Sequence, residues 1–337
     1  YKYCDTLRTR EKLYTAEHRS SARTIATETF VLLKNDHHLL PLDIKGKIAL
    51  IGPMADARNN MCGMWSMTCT PSRHGTLLEG IRSAAGDKAE ILYAKGSNIY
   101  YDAETEKAAT GIRPLERGDN RQLLDEALRI AARADVIVAA LGECAEMSGE
   151  SVSRTNLEIP DAQQDLLKAL VKTGKPVVLL LFTGRPLVLN WEATNVHSIL
   201  NVWFGGSETG DAVADVLFGK VAPSGKLTTT FPRSVGQLPL FYNHLNTGRP
   251  DPDNRIFNRY ASNYLDESNE PLYPFGYGLS YTDFVYSDLQ ISSETLPKNG
   301  ELTVSVTVTN KGNYDGYETV QLYLRDIYAC LLYTSDA

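Results

Sequence analysis

Short apolar runs alternate with stretches of helical periodicity over most of the first two thirds of the chain. The apolar runs are continuous, which is typical of strands that are buried on both faces of a parallel sheet. They read IALIGP, DVIVAALGE, PVVLLLF and SILNVWF. Between them lie predicted helices, one of which starts near Asp161 and stops at Gly174. The pattern therefore predicts an α/β fold, an α/β sandwich in which a mostly parallel sheet is flanked by helices.

Both ends of this region have a different pattern. Residues 16–34 carry apolar positions at helical spacing, so we predict a single helix there. Residues 220–281 are rich in Pro, Gly, Asn and Tyr and predict a long ordered loop that wraps the sheet. From Thr282 onward a period of two, with a turn signal at 310–312 and a last strand in YETVQLYLRD, indicates antiparallel strands of a β-sandwich. Three or four strands are too few for a complete sandwich, which has about seven.

Composition narrows the class of partner. The formal net charge is −7, which argues against a nucleic-acid or anionic-membrane surface and favours neutral polar substrates. No apolar run reaches 18 residues, so we predict no membrane insertion. Neither GxGxxG nor GxxxxGK[ST] occurs, so we expect no nucleotide cofactor and no cofactor of another kind.

The five cysteines are scattered and form no CxxC pair. We therefore predict neither a zinc or other metal site nor a disulfide framework. They are Cys4, Cys62, Cys69, Cys144 and Cys330.

The richest candidate for chemistry is the polar loop CAEMSGESVSRTNLEIP, which follows a predicted buried strand. Open α/β sheets place function at the carboxyl ends of their strands. Three glutamates, Glu143, Glu146 and Glu150, fall in or beside this loop, and Glu150 sits on a Ser-Gly-Glu-Ser tip. A carboxylic acid there could protonate a departing glycosidic oxygen if a second carboxylate lay nearby. The alternative is a solvated loop glutamate, which composition alone favours and which the spacing does not exclude.

The sequence resembles glycoside hydrolase family 3 of the periplasmic β-glucosidase type over about residues 16–329. The stretches that carry the resemblance are IALIGPMAD, GMWS, GESVSRTNLEIPDAQQDLLKAL, GKPVVLLLFTGRPL, PSGKLTTTFPRSVGQLPLFYNHLNTGRP and LYPFGYGLSYTDF. The resemblance implies a (β/α)₈ barrel that supplies an aspartate nucleophile. It further implies an α/β sandwich domain that lends the acid/base glutamate, followed by a fibronectin type III-like domain.

Carried over by motif, the resemblance assigns the general acid/base to Glu150, with Glu146 and Glu143 as alternatives. Arg154, in SRTNLEIP, is expected to hold this loop as an ion-pair partner, and a contact to the sugar is the weaker expectation. Trp65, in GMWS, is expected to line the aglycone side of the substrate site, with a buried core tryptophan as the alternative.

The resemblance also implies the domain organisation. Residues 1–22 would be the tail of a missing barrel and its linker, and 23–245 the α/β sandwich domain. Residues 246–281 would be a wrapping linker and 282–329 an incomplete fibronectin type III-like domain. The chain does not begin with Met, and residues 330–337 resemble a translated library adapter, which we set aside.

The expected function is that of a part of a retaining β-glucosidase, a hydrolase that removes terminal glucosyl residues from β-linked oligosaccharides or glucosides. No Ser-Asp-Trp segment occurs, so we expect the nucleophile to be absent and the chain alone to be inactive. The alternatives are a β-xylosidase of the same family and a non-catalytic carbohydrate-binding or scaffold protein. The resemblance implies a periplasmic or secreted location, and a homodimer is retained as an option.

Overall fold

The computed structural model describes residues 7–66, 69–244, 248–250 and 259–324. The α-helices in these ranges are α1 (Leu7–Lys12), α2 (Ala16–Thr29), α3 (Leu77–Ala85), α4 (Ala103–Thr110), α5 (Asn120–Arg133), α6 (Asp161–Val171), α7 (Asn190–Asn195) and α8 (Thr209–Leu217). The strands are β1 (Val31–Asn35), β2 (Lys47–Ile51), β3 (Glu90–Ala94), β4 (Val136–Gly142), β5 (Val177–Phe182), β6 (Ser198–Asn201), β7 (Phe284–Ile291) and β8 (Val304–Asn310).

Six strands form one sheet in the order β1-β6-β5-β4-β2-β3. All neighbouring pairs are parallel except β1 and β6 at one edge, which run antiparallel. Alternate residues of each central strand enter two separate hydrophobic cores, one on each face of the sheet. The continuous apolar runs thus meet the requirement of a sheet that is covered by helices on both sides. The predicted α/β class and the mostly parallel sheet are confirmed.

The predicted helix over residues 16–34 is confirmed as far as Thr29 and wrong over residues 30–34. Helix α2 ends at Thr29, and the next residues form the edge strand β1. The segment from Phe30 to Leu33 is fully buried, and Val31 pairs with Asn201 of β6. An apolar run of this length fits a helix or a strand, and here the long-range pairing with β6 decides between them.

The C-terminal end of the predicted wrapping loop pairs with the edge strand β1. Leu279 forms an isolated antiparallel bridge with Leu32 of β1, and Phe231 forms another with Tyr273. Both Phe231 and Tyr273 are buried in the core on one face of the sheet. Coverage of an edge strand satisfies backbone groups that would otherwise be open to pairing with another chain.

Strands β7 and β8 form a separate two-stranded antiparallel sheet, as their alternating pattern predicts. The third predicted strand, YETVQLYLRD, is wrong where it can be checked, since residues 317–324 contain no strand. Its last two residues and the adapter-like residues 330–337 lie outside the described residues. Among the helices that the structure describes, none is both long and apolar enough to cross a bilayer.

Candidate active-site edge

The candidate site lies where three neighbouring parallel strands end at their carboxyl termini. A segment containing Trp65 follows β2, a loop of residues 143–155 follows β4, and residues 183–185 follow β5. We call the second of these the acid loop and residues 60–66 the tryptophan segment. Because β2, β4 and β5 are adjacent in the sheet, the three segments meet at one edge, the usual location of function in an open α/β sheet.

Glu143 is the first residue of the acid loop and is fully buried. Its Oε1 lies 2.8 Å from Arg154 Nη1 and 3.0 Å from Arg185 Nε. Its Oε2 accepts a hydrogen bond from the Thr183 hydroxyl at 2.9 Å and one from the Gly184 amide at 3.1 Å. Two guanidinium groups and two neutral donors compensate a buried carboxylate. These four contacts are all with protein groups and the carboxylate is fully buried, so we interpret Glu143 as a structural residue.

Arg185 and Arg154 fix the path of the acid loop. Arg185 Nη2 donates to the carbonyl oxygen of Met147 and, at 2.9 Å, to that of Val152. Arg154 Nη2 donates to the carbonyl oxygen of Glu158 at 3.0 Å. The Arg154 guanidinium therefore binds protein groups, the Glu143 carboxylate and the Glu158 carbonyl oxygen among them.

Glu146, in the middle of the acid loop, is also engaged. Its Oε1 lies 3.2 Å from Arg113 Nε, and its side chain is only 10% exposed. The residue belongs to a short 3₁₀ turn (Ala145–Met147) that packs against α4.

Glu150 differs from the other two glutamates because it is exposed to solvent at the tip of the acid loop. The protein interior fixes the tip. Ser148 is buried, and Arg185 binds the carbonyl oxygens of Met147 and Val152 on either side of the tip. Gly149 has a φ of +142° and passes close to the tryptophan segment. A Cβ atom placed on Gly149 would lie 2.7 Å from Met64 Cγ and 4.0 Å from the Trp65 ring. Glycine therefore allows the tip to touch the segment that bears Trp65.

Trp65 is 71% exposed, so the alternative of a buried core tryptophan is wrong. Met61 of the same segment belongs to a hydrophobic core and Gly63 is buried against Phe204, whereas the indole faces solvent. The indole and Glu150 both face solvent, and the Gly149 contact places the two loops side by side. An exposed indole beside an exposed carboxyl group is an arrangement that can contact a sugar face and a leaving-group oxygen.

The prediction that the cysteines form no disulfide is wrong for one pair. Cys62 and Cys69 are joined by a disulfide that spans the tryptophan segment. Their Cα atoms lie 6.6 Å apart, a proximity that the absence of a CxxC motif does not exclude.

The buried imidazole of His74 lies beside this disulfide. Its Nδ1 is 3.8 Å from Cys69 Sγ and its Nε2 is 4.0 Å from Cys62 Sγ. Within the described ranges, no other group of three His, Cys, Asp or Glu side chains has ligand atoms within 4.8 Å of one another. Because the two sulfurs are bonded to each other, they do not provide the thiolates that a metal ion would need.

Several residues that hold the site were not identified from the sequence. Asn60 Oδ1 accepts from the amide of Ala145 at 2.8 Å, which ties the base of the tryptophan segment to the acid loop. Arg113, Thr183 and Arg185 each contact a loop glutamate from a distant part of the chain. Single positions in loops carry no periodic signal, so only the fold reveals these contacts.

The size of the surface clefts does not identify the candidate site, because the larger of two clefts lies away from the loop glutamates. A cleft of about 380 Å³ lies beside the acid loop and is lined by Tyr100, Arg154 and Glu158. A larger cleft of about 600 Å³ lies between α2 and α8, remote from the loop glutamates. The acidic groups of this larger cleft, including Glu208 and Asp215, are paired with arginines. Its charges are thus internally compensated, and the acid loop remains the candidate site.

Comparison with known proteins identifies the family. The family model described as glycosyl hydrolase family 3 C-terminal domain matches residues 30–281. The chain is 49% identical over 318 residues to a periplasmic β-glucosidase of Salmonella typhimurium, covering 93% of the chain and 41% of that relative. It is 38% identical over 321 residues to a β-xylosidase of Formosa agariphila, covering 94% of the chain and 41% of that relative.

Solved structures give the same result. The β-glucosidase of Listeria innocua in complex with glucose superposes with a TM-score of 0.76 at 37% identity, covering 91% of this chain and 39% of that one. The chain spans about two fifths of the length of these relatives. Since the family model covers most of the sheet domain and identity to full relatives reaches 49%, the chain belongs to glycoside hydrolase family 3, of which it contains the C-terminal domain.

Proposed function

We propose that this chain supplies the general acid/base of a retaining β-glucosidase, and that the acid/base is Glu150. The observation that carries the proposal is the division among the three loop glutamates. Glu143 is enclosed by two arginines, Glu146 is paired with Arg113, and Glu150 alone of the three faces solvent. A proton donor must reach the leaving-group oxygen, so an exposed carboxyl group on a firmly held loop fits the task.

Trp65 would form the wall of the aglycone side. Its exposed indole belongs to the segment that touches Gly149, one residue before the proposed acid. The face of a sugar ring packs well on an aromatic ring, so a leaving-group sugar or aryl group could rest there while Glu150 protonates the bond. Arg154 would act on the loop, through Glu143, rather than on the sugar.

A retaining mechanism requires a second carboxylate about 5 Å from the acid/base. We propose that this nucleophile is an aspartate from the part of the parent protein that this chain does not contain. Glu150 would first donate a proton to the leaving oxygen. It would then, as a carboxylate, take a proton from the water that hydrolyses the glycosyl-enzyme. The chain alone would then show no turnover of a β-glucoside.

The experiment compares two aryl β-glucosides, with a poor and an activated leaving group, in the full-length parent and its Glu150→Ala variant. Loss of the acid should slow cleavage of the poor leaving group by about 10²–10⁴-fold, while kcat/KM for the activated one stays near wild type. For the activated substrate kcat should fall, because hydrolysis of the glycosyl-enzyme loses its general base. Added azide should restore kcat and yield a β-glucosyl azide, because azide attacks the glycosyl-enzyme without a general base.

Glu158→Ala is the matched control, since Glu158 is an exposed glutamate in the same polar stretch. It should leave both rates unchanged. If Glu150→Ala cleaves both substrates at wild-type rates, Glu150 is not the proton donor. The same assay on Glu146→Gln would then test the next candidate.

β-Xylosidase activity is the second candidate, and it rests on the 38% identical relative of that name. Comparison of kcat/KM for the p-nitrophenyl β-glucoside and β-xyloside by the parent decides between the two. If the parent cleaves neither substrate, the non-catalytic carbohydrate-binding alternative is favoured instead.

We further propose an extracytoplasmic location for the parent. The Salmonella relative is named a periplasmic enzyme, and the bond between Cys62 and Cys69 would persist in an oxidising compartment. Fractionation of the source cells, with the parent detected by antibody, tests this location.

A further inference from the structure

Arg113 connects the two halves of the candidate site. Its Nη1 donates to the carbonyl oxygen of Gly63 at 2.5 Å, within the tryptophan segment. Its Nε lies 3.2 Å from Oε1 of Glu146, within the acid loop. The Arg113 side chain is 19% exposed and that of Glu146 is 10% exposed, so solvent screens this pair only partly. The Arg113 guanidinium therefore binds one residue of the tryptophan segment, Gly63, and one residue of the acid loop, Glu146.

Both residues lie close to the groups that would contact substrate. Gly63 is two residues before Trp65, and Glu146 is four residues before Glu150. Because the guanidinium is planar and rigid, its hydrogen bond to the Gly63 carbonyl oxygen and its ion pair with the Glu146 carboxylate together fix the spacing of the two loops.

The acid loop is anchored on both sides of its tip, whereas the other anchors of the tryptophan segment lie before Trp65, at the Met61 carbonyl oxygen, which accepts from Gly206 and Thr209, and at the Cys62 disulfide. Arg185 binds the carbonyl oxygens of Met147 and Val152, and Glu143 is bound by two arginines. The tryptophan segment is joined to this rigid loop through Asn60 at its base and through Arg113 at Gly63. Loss of the Arg113 contacts should therefore loosen the tryptophan segment and leave the acid loop in place.

We propose that Arg113, bound to Glu146, is a positioning residue that fixes Trp65 beside Glu150 and so determines affinity for the aglycone. The effect on aglycone affinity rests on the proposed function. The effect on the position of Trp65 concerns this chain alone. Arg113 contacts no substrate in this scheme and acts through Gly63.

The structural part is tested on this chain after labelling its three tryptophans with 5-fluorotryptophan. The ¹⁹F resonance of Trp65 is assigned by its loss in Trp65→Phe. In Arg113→Met its transverse relaxation rate should fall markedly, because the indole moves more freely, while the resonances of Trp191 and Trp203 keep theirs. A Trp65 rate in Arg113→Met equal to that of the wild type would overturn the proposal.

Arg117→Met is the matched control. Arg117 is a nearby arginine that pairs with Glu106 at 2.6 Å and donates to the carbonyl oxygens of Tyr100 and Tyr101. None of its hydrogen bonds reaches the tryptophan segment, so the Trp65 rate should not change. If Arg113→Met does not fold, Arg113→Lys replaces it. Lysine keeps a charge for Glu146 without the two-pronged geometry, so the Trp65 rate should still fall, and an unchanged rate contradicts the proposal.

The kinetic part uses the full-length parent and an aryl β-glucoside. Arg113→Met should raise KM at least about fivefold, which corresponds to about 1 kcal/mol, while kcat stays within about twofold. An equal fall in kcat and kcat/KM would contradict a role through aglycone binding. If the wild-type parent has no glucosidase activity, the proposed function fails and the fluorine result still stands. If the parent is active and Arg113→Met matches it, this inference alone fails.

Discussion

Arg185 Nε lies 3.0 Å from the fully buried Oε1 of Glu143, across the gap between the ends of two neighbouring parallel strands. Glu143 follows β4 and Arg185 follows β5, so this ion pair joins the two loops at the edge of the sheet. The same arginine binds carbonyl oxygens on either side of the acid-loop tip. The pair thereby links the stability of the sheet edge to the position of Glu150.

Arg185→Met should destabilise the chain by about 3 kcal/mol or more. The substitution leaves the Glu143 carboxylate buried with one guanidinium instead of two, and partial loss of compensation for a buried charge is costly. Urea unfolding followed by far-ultraviolet circular dichroism measures the free energy of unfolding. Arg121→Met is the control, because Arg121 is 91% exposed and its pair with Asp125 is 4.0 Å long. The control should change stability by at most about 0.5 kcal/mol.

Glu143→Gln should reduce the additional cost of Arg185→Met. With the carboxylate neutralised, removal of one guanidinium no longer leaves an undercompensated charge. The double variant should therefore be more stable than the two single variants predict by simple addition, with a coupling of about 1 kcal/mol or more. Additive single effects in the same urea measurement would show that Arg185 acts only through the carbonyl oxygens of the acid loop.

Four of the six strands, β2, β4, β5 and β6, were predictable because they are continuous apolar runs separated by well-marked helices, whereas the edge strand β3 was not predicted. Strand β1 was not, since FVLL continues the helical spacing of α2 and becomes a strand only by pairing with Asn201 and its neighbours in β6. The division into an α/β sandwich domain, a linker and a fibronectin type III-like domain stays a prediction, of which β7 and β8 show two antiparallel strands.

The candidate site was predictable only as a loop. Glu143, Glu146 and Glu150 are chemically identical in the sequence, and spacing does not rank them. Their environments differ because Arg113 and Arg185, from distant parts of the chain, pair with two of them. The assignment of Glu150 from family resemblance agrees with its exposure, and its catalytic role stays a proposal.

Reduction of the disulfide between Cys62 and Cys69 should destabilise the chain by about 2–3 kcal/mol. A cross-link over this short loop removes that much unfolded-state entropy in the chain-entropy account. Urea unfolding with and without a phosphine reductant measures the loss. Cys62→Ser/Cys69→Ser should be as unstable as the reduced chain and insensitive to reductant, and a reductant effect of equal size in this variant would refute the assignment.

Cys144 should stay unreactive in the native chain. It is fully buried, and burial raises the pKa of its thiol to about 12, so little thiolate forms at pH 8. Peptide mapping after iodoacetamide treatment of the native, unreduced chain should find Cys144 unmodified. It should be alkylated once the chain is unfolded in guanidinium chloride, and rapid native alkylation would show that the core around it opens.

Glu192, in the short helix α7, should make stability depend on pH. The residue is 1% exposed, and its buried Oε1 has no hydrogen-bond partner among the residues that the structure describes. Burial, assisted by the charge of Glu158, raises the pKa of the Glu192 carboxyl from 4.5 to about 7. The folded chain thus favours the protonated carboxyl. Its contribution to stability is complete below about pH 4.5 and is lost as the pH rises through about 7.

Replacement of this carboxyl by an amide should therefore stabilise the chain in alkaline conditions only. A pKa raised from 4.5 to about 7 corresponds to about 3 kcal/mol, which sets the upper limit of the gain for Glu192→Gln at pH 8. At pH 4 the variant and the wild type should differ little, because both side chains are neutral. Urea unfolding at both pH values measures the difference, with Glu294→Gln, at an exposed glutamate, as control. A gain at pH 4 as large as that at pH 8 would mean that packing of the amide, rather than removal of a buried charge, stabilises the variant.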